Sequence, residues 1–350
     1  MKIAIANDLL IATEALRRLL IEDGRHQVLW VARDGEQAVA LCREQRPDLI
    51  LMDLIMPLLD GIEATRQIMQ HSPCAVLIVT ATPEDSTGAV FRAMGAGALD
   101  VTATPALGGG DDGGDLLRKI ATLERLVGTD QRLQRLPSMP VARARPSLLR
   151  SAGARRLVAI GASTGGPAAL AKVLGDWPVA ADTAVVLVQH IDRRFVEGFA
   201  RWLAEQVQWP VRLVEAGTCP QPGCIHIARA DDHLVLTAEG AFAYQAEPLD
   251  YPYRPSVDVF FHSLARHWRQ PAIGVLLTGM GEDGASGLLA LRRAGHPTAA
   301  QDQASCAVYG MPRAAARLEA AEWVLTPNEI NAKLKLWASG IAGRGPPLAN

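Results

Sequence analysis

Ser163 stands at the end of an apolar run, in Leu157-Val-Ala-Ile-Gly-Ala-Ser163-Thr-Gly-Gly-Pro167. Residues 157–160 are apolar and partly β-branched, as in a short buried strand. Pro167 suits the first turn of a helix. A strand that turns sharply into a helix lifts a serine hydroxyl clear of the sheet and aims backbone N–H groups at whatever it attacks. Gly161, Ser163 and Gly165 fit the G-x-S-x-G spacing of a nucleophile elbow, so the chemistry indicated is acyl transfer. A phosphate loop fits poorly, because no Gly-Lys-Ser/Thr follows the glycines.

A serine nucleophile needs a base, and the base needs an orienting group. Eight histidines compete for the first role. His190 ends the apolar run Val185–Gln189, so in a parallel sheet it shares an edge with Ser163. His226 alternates within Cys-Ile-His-Ile-Ala and reads as a strand-face residue. His262 and His267 fall in a helical stretch with Phe and Trp and read as packing. His296 reads as a turn residue, and His26, His71 and His233 as loop positions. The third group comes from another strand end. Ile273-Gly-Val-Leu-Leu-Thr-Gly279-Met-Gly281-Glu282-Asp283-Gly-Ala again reads as strand, glycine turn and helix, and either Glu282 or Asp283 can orient His190. Asp283 is also accounted for by capping at a helix N-terminus. The order Ser, His, Asp differs from the Ser, Asp, His of α/β-hydrolases.

A second constellation lies in the first half. Ligands of parallel α/β sheets sit at the C-terminal ends of the strands. Asn7 and Asp8 follow the first strand, Asp53 the third, and Thr80 ends the fourth. Asp8, Asp53 and the backbone carbonyl of Ile55 offer a hard cation such as Mg²⁺ the oxygen ligands it needs. The cation would offset charge while Asp53 accepts a phosphoryl group, a modification whose added charge biases neighbouring interfaces. Strand ends or helix caps explain one such acid readily, but two with a threonine less well.

The elements that must position these residues follow from the apolar spacing. Strands read as Lys2–Ala6, Val28–Ala32, Leu49–Met52, Val76–Thr80 and Ala98–Val101. Helices read near Glu14–Ile21, Glu36–Gln45, Ile62–Gln70, Asp85–Met94 and Leu116–Leu126, with a flexible loop over Gly108–Asp115. Five strands alternating with five helices predict a flavodoxin-like, doubly wound parallel sheet over residues 1–127. Residues 128–153, with Pro137, Pro140, Pro146 and spread arginines, have linker composition. Residues 154–342 begin a second doubly wound α/β domain. There Phe195–Glu205, Val257–Trp268, Ala285–Arg293 and Ala314–Ala320 are helical, Ile273–Thr278 is a strand, and short β-like runs lie near 211–216, 224–228 and 234–237.

Composition sets outer bounds. At 350 residues the chain accommodates two cores. Lys+Arg 35 against Asp+Glu 37 leaves no basic field for nucleic acid or an anionic membrane. Five scattered cysteines argue for a reducing compartment, and Cys219 and Cys224 read as small apolar residues around a turn. No apolar stretch is long enough to span a bilayer, and the early Asp8 argues against a signal peptide. The expected location is the cytoplasm.

The first ~125 residues resemble the receiver domain of two-component response regulators, on Asp53-x-x-Met-Pro-x-x-Asp-Gly together with the strand-end acids. The resemblance implies that Asp53 is the phospho-acceptor, Asp8 a metal ligand, and Thr80 the hydroxyl that contacts the phosphoryl group. Two departures stand out. Asn7-Asp8 replaces the usual acidic pair, and Thr104 stands where receivers place a lysine before Pro105, with Val101 at the position of an aromatic switch residue. Losing the lysine removes a point charge that reads the phosphoryl group.

Residues ~155–340 resemble the catalytic domain of chemotaxis protein-glutamate methylesterases. The matching segments are Ile160-Gly-Ala-Ser163-Thr-Gly-Gly-Pro, Val188-Gln-His190, Tyr253-Arg-Pro-Ser-Val-Asp258, Leu277-Thr-Gly-Met-Gly-Glu-Asp283-Gly-Ala and Ala300-Gln-Asp…Tyr309-Gly-Met-Pro312. By motif, Ser163 is the nucleophile, His190 the base and Asp283 the orienting carboxylate, with the N–H of Thr164 as one oxyanion donor. The Gly-Ala-Leu-Asp-Val…Thr-Pro ending of the receiver is similar to the Wsp-type surface-sensing branch.

The implied reaction is hydrolysis of glutamyl γ-methyl esters on the cytoplasmic domains of methylated chemoreceptors, with glutamine deamidation as a second activity. This chemistry needs no metal. A chemotaxis-type histidine kinase is the implied phosphodonor, and the receiver is expected to dock near Ser163 and limit access until Asp53 is phosphorylated. Two other readings stay open: a degenerate regulator that acts by binding, favoured only by the absent lysine, and a hydrolase of a small-molecule ester.

Overall fold

A computed structural model describes residues 1–81, 87–105, 112–127, 154–229, 231–249, 251 and 253–340. The expected linker 128–153, the start of the fourth helix at Asp85 and the first part of the Gly108–Asp115 loop lie outside them. The chain divides into two compact units.

The first unit is built on five parallel strands: β1 (Lys2–Ala6), β2 (Gln27–Ala32), β3 (Leu49–Met52), β4 (Ala75–Thr80) and β5 (Asp100–Ala103), in the order β2-β1-β3-β4-β5. β3 and β4 are buried along their whole length. That is why they read as continuous apolar runs and not as alternating ones: a parallel sheet is covered on both faces. The intervening helices are α1 (Leu10–Asp23), α2 (Gly35–Glu44), α3 (Gly61–His71), α4 (Thr87–Ala96) and α5 (Asp112–Val127). Asp34 and Asp60 start α2 and α3 by accepting the N–H of Gln37 and Glu63.

Two expectations are corrected here. β5 begins at Asp100, two residues late, because the N–H of Gly97 and of Ala98 still close the end of α4 on Met94 and Ala93. α5 begins at Asp112, inside the expected loop. Apolar spacing marks a helix only from its first apolar residue, Leu116, and the Asp-Gly-Gly-Asp before it has no apolar side chain.

The second unit carries a seven-stranded parallel sheet: β6 (Arg156–Ala162), β7 (Thr183–Gln189), β8 (Val211–Leu213), β9 (Cys224–Ile227), β12 (Ala272–Leu276), β13 (Thr298–Gln301) and β14 (Trp323–Leu325). Their order is β14-β13-β12-β6-β7-β9-β8. A hairpin of β10 (His233–Leu236) and β11 (Phe242–Gln245) stands apart from this sheet. The helices of residues 154–340 are α6 (Gly166–Leu174), α7 (Arg193–Gln206), α8 (Val257–His267), α9 (Ala285–Arg293), α10 (Met311–Arg317) and α11 (Pro327–Ala338), and Arg194–Trp202 of α7 is grouped with the first unit. The chain leaves β6 toward β7 on one side and returns to β12 on the other. The strand order therefore reverses at β6, and the crevice at such a switch point is where ligands bind in open α/β sheets.

The core under that edge is apolar and tightly packed. Phe260, Phe261 and Leu264 of α8 meet Leu276 of β12 and Leu288 and Leu291 of α9, all fully buried. Burying side chains of this size contributes about 1.5–3 kcal/mol each. The strand expected over Ile273–Thr278 is Ala272–Leu276, and the helix expected over Ala314–Ala320 is α10. β11, β13, β14 and α11 have no counterpart in the apolar reading. α11 nevertheless announces itself: Thr326 and Glu329 form a reciprocal capping box.

Candidate active site

Ser163 is the first residue after β6, and His190 the first after β7. The residues just before them, Ala162 and Gln189, are register partners, and the His190 N–H donates to the Ala162 carbonyl at 2.9 Å. The nucleophile and base expected from the sequence thus emerge side by side on neighbouring strands.

The turn after Ser163 is fixed from several directions. The Gly166 N–H donates to the Ser163 carbonyl at 2.7 Å, and so does the Gln189 amide at 2.9 Å. Gly165 takes φ +75°, where a side chain would also run into Ala307. The Ser163 N–H donates to the Thr278 carbonyl at 3.0 Å. The Thr278 hydroxyl lies 3.0 Å from the Thr164 carbonyl and accepts the Val308 N–H at 2.9 Å. Thr164 itself is buried.

Asp283 reaches His190. Its Oδ2 lies 2.7 Å from the imidazole Nε2, and both side chains are 5% exposed. Nδ1 is buried and has no hydrogen-bond partner among the described residues. With Nε2–H donated to the carboxylate, Nδ1 carries the free lone pair. Serine proteases use the opposite arrangement, with Nδ1 facing the aspartate and Nε2 the serine. Glu282, the other candidate, is exposed and pairs with Arg317 at 3.4 Å, so adjacent acids have separate fates.

The Asp283 carboxylate is also held by the start of α8. Oδ1 accepts the Ser256 hydroxyl at 2.7 Å and the Asp258 N–H at 3.0 Å, and Oδ2 accepts the Val257 N–H at 2.7 Å. Capping and orienting are therefore the same act, although the helix capped is α8 and not the α9 that Asp283 precedes. Burial pushes this carboxyl up, but the hydrogen bond and charge of His190, with the Asp258 N–H and Ser256 hydroxyl, outweigh it and leave the carboxyl below its ordinary range.

Asp258 returns the arrangement: from the first turn of α8 it accepts the Gly287 N–H of α9 at 2.6 Å. Burial, then the neighbouring Asp283 charge, raise its carboxyl to about 6 despite that bond. Gly284, between Asp283 and α9, takes φ +88°, and a Cβ there would press on Val257 and Leu276. A cleft of about 490 Å³ opens beside this pair, lined by Tyr251, Tyr253, Asp258, Asp283, Arg317 and Leu318 among others, but by neither Ser163 nor His190.

The other histidines sort as follows. His226 is a buried residue of β9, as expected, and its Nε2 accepts the Gln221 N–H at 3.0 Å. His233 is no loop residue. It opens β10 fully buried, with Nδ1 accepting the Ser256 N–H at 3.1 Å and Nε2 3.1 Å from the Pro248 carbonyl. His262 does not pack inward; it is exposed on α8, 3.0 Å from Ser286. Cys219 is exposed and Cys224 buried.

In the first unit, Asp53 is buried at the end of β3. Its Oδ1 accepts the Leu54 N–H at 2.7 Å, and its Oδ2 accepts the Asn7 amide at 3.0 Å. Burial raises its carboxyl to about 6 against the pull of the Leu54 and Ile55 N–H groups, and Asp8 adds to the rise. Asn7 thus replaces a carboxylate with a hydrogen-bond donor to Asp53. Thr80 ends β4, buried, with its carbonyl accepting the Thr104 N–H at 2.9 Å. The Thr104 hydroxyl is buried without a partner among the described residues. Asp8 lies close enough for its charge to raise the Asp53 carboxyl, and such an unfavourable pair of acids fits a divalent cation. Among the described residues no cluster of three or more His, Cys, Asp or Glu side chains is placed for a metal, and no helix is long and apolar enough to cross a membrane.

Comparison with known proteins identifies the family. Residues 158–334 match the CheB methylesterase family, and residues 3–105 match the response regulator receiver domain. A protein-glutamate methylesterase/protein-glutamine glutaminase of group 3 operon from Pseudomonas putida is 54% identical over 325 residues, 92% of this chain and 94% of its own length. Protein-glutamate methylesterase/protein-glutamine glutaminase 3 of Pseudomonas aeruginosa is 50% identical over 338 residues, 95% and 98% of the two chains. The crystal structure of the Thermotoga maritima CheB methylesterase catalytic domain aligns with a TM-score of 0.50 at 32% identity, over 53% of this chain and all of that domain. The chain belongs to the CheB methylesterase family, with a response regulator receiver domain preceding the methylesterase domain.

Proposed function

We propose that this protein hydrolyses glutamyl γ-methyl esters on the cytoplasmic domains of chemoreceptors, using Ser163, His190 and Asp283. The observation that carries the proposal is the 2.7 Å contact between His190 Nε2 and Asp283, with Nδ1 unpartnered among the described residues and Ser163 and His190 following register partners of neighbouring strands. Ser163 Oγ attacks the ester carbonyl while its proton passes to His190 Nδ1. Asp283 stabilises the imidazolium through Nε2, and the Thr164 N–H donates to the developing oxyanion. The imidazolium then gives its proton to the leaving oxygen, releasing methanol and an acyl-enzyme on Ser163. Water attacks the acyl carbon as its proton passes to His190, and the imidazolium hands that proton to Ser163 Oγ as the C–O bond breaks and the glutamate leaves. A glutamine substrate follows the same path with ammonia leaving, which is the glutaminase reaction.

Regulation is assigned to Asp53. Phosphorylation there, by a chemotaxis-type histidine kinase, sets esterase activity. Asp8, Asp53 and the Ile55 carbonyl would hold Mg²⁺, whose charge offsets that of the acids and the incoming phosphoryl group. Asn7 positions the Asp53 carboxylate, and Thr80 contacts the phosphoryl oxygens. Membership of the Wsp-type surface-sensing branch is part of the proposal, supported by Thr104 in place of the lysine.

Incubation with methyl-labelled receptor and with a generic small ester tests the substrate. Preference for the receptor by orders of magnitude in kcat/KM is expected. Equal kcat/KM for the two would make this a small-molecule esterase.

A further inference from the structure

His190 has two faces as well as two nitrogens. One face is covered by Tyr253, with ring centroids 4.3 Å apart and planes 14° from parallel. Asp283 fixes a single atom, Nε2, and a hydrogen bond at one ring atom leaves the imidazole free to tilt about that contact. A stacked ring constrains the plane, which a single hydrogen bond cannot do. Both are needed to hold Nδ1 in one direction.

We infer that Tyr253 is a positioning residue of the hydrolase: its ring holds the imidazole plane with Nδ1 turned toward the serine and stabilises the imidazolium once the proton arrives. The inference rests on the proposed role of His190 as base. Its electrostatic part follows from the aromatic quadrupole, whose face attracts a cation more strongly where water is excluded. The His190 side chain is 5% exposed, so the imidazolium would form away from bulk water. Tyr253 lies in the segment before α8 and also lines the open cleft beside Asp283.

The test uses the full chain, with methanol release from methylated receptor and with reactive Ser163 counted by a serine-directed organophosphonate. Tyr253→Phe keeps the stack and is expected within twofold of wild type. Tyr253→Leu and Tyr253→Met remove it, and kcat per titrated serine is expected to fall about thirtyfold, the scale of a desolvated cation–π contact, with KM changed less than twofold. A role in folding alone would lower the number of titrated serines and leave kcat per serine unchanged. That result overturns the inference, as does a Phe variant no better than Leu. His190→Ala separates this inference from its parent. If it retains wild-type turnover, the base assignment fails and both fall. If it is inactive while Leu and Met variants turn over normally, only the role of Tyr253 is lost.

Discussion

Asp258 and Asp283 exchange helix N-termini. Asp283, which leads into α9, accepts the N–H groups of Val257 and Asp258 at the start of α8. Asp258, in the first turn of α8, accepts the Gly287 N–H of α9. Each carboxylate lies where a helix dipole favours negative charge, and each ties one helix to the other. The group that orients His190 is thus held by two backbone N–H groups and a hydroxyl, and its Oδ2 is shared between the Val257 N–H and the imidazole.

Asp283→Asn keeps the shape and removes the charge. The amide also competes for the imidazole tautomer. Turnover is expected to fall roughly 10³- to 10⁴-fold, with little change in KM. Steady-state methanol release measures this. A loss below tenfold would assign Asp283 to capping alone.

Ser256→Ala removes two things: the N-cap of α8, where the hydroxyl accepts the Val259 N–H at 3.3 Å, and a 2.7 Å donor to Asp283. Losing the cap costs about 1 kcal/mol, read as a lower urea midpoint at unchanged slope. Activity falls as well, because Asp283 loses one of its holders. A variant less stable but fully active would confine Ser256 to capping.

Comparison of wild type with Asp258→Asn isolates the contribution of Asp258 to the pH dependence of stability. Its folded pKa of about 6 lies above the ordinary 3.8. Between those values the folded chain keeps a proton that the unfolded chain has released. Stability is therefore lost as pH rises through roughly 4 to 6, and the penalty is full above 6, on the order of 2–3 kcal/mol for a shift of this size. Asp258→Asn should match wild type near pH 4 and exceed it at pH 7.5. Urea unfolding at the two values checks this. An Asn variant that is less stable at pH 7.5 contradicts the assignment.

Much of this was legible in the sequence, and what was not has physical causes. β1 and β3 have the predicted bounds, because a covered parallel strand is a continuous apolar run. Ser163 and His190 were legible as strand-end residues. Glu282 and Asp283 were not separable by spacing: adjacent residues on a turn point apart, and only the fold shows which one meets His190. Ser256, Asp258 and Tyr253 were quoted only as parts of a motif, since their roles depend on contacts with Asp283, Gly287 and His190 from distant segments. A serine immediately before the apolar stretch from Val257 is nonetheless a helix-start signal. His233 looked like a loop residue because the β-like run was read from 234, one residue after β10 begins.

Asp53→Asn should abolish phosphoryl incorporation from a small phosphodonor, and chelating divalent cations should do the same in the wild type. Neither change removes a group from the Ser163 site, so basal esterase turnover should persist. Incorporation that survives in Asp53→Asn would move the acceptor elsewhere.

The most direct measurement is methanol release from methylated receptor by Ser163→Ala beside wild type. Loss of turnover by several orders of magnitude is expected. The residue would be at most the ~10³–10⁴-fold over water that binding and oxyanion donors alone sustain. Near-normal methanol release from that variant would contradict the assignment of Ser163, and with it the role of the His190–Asp283 pair.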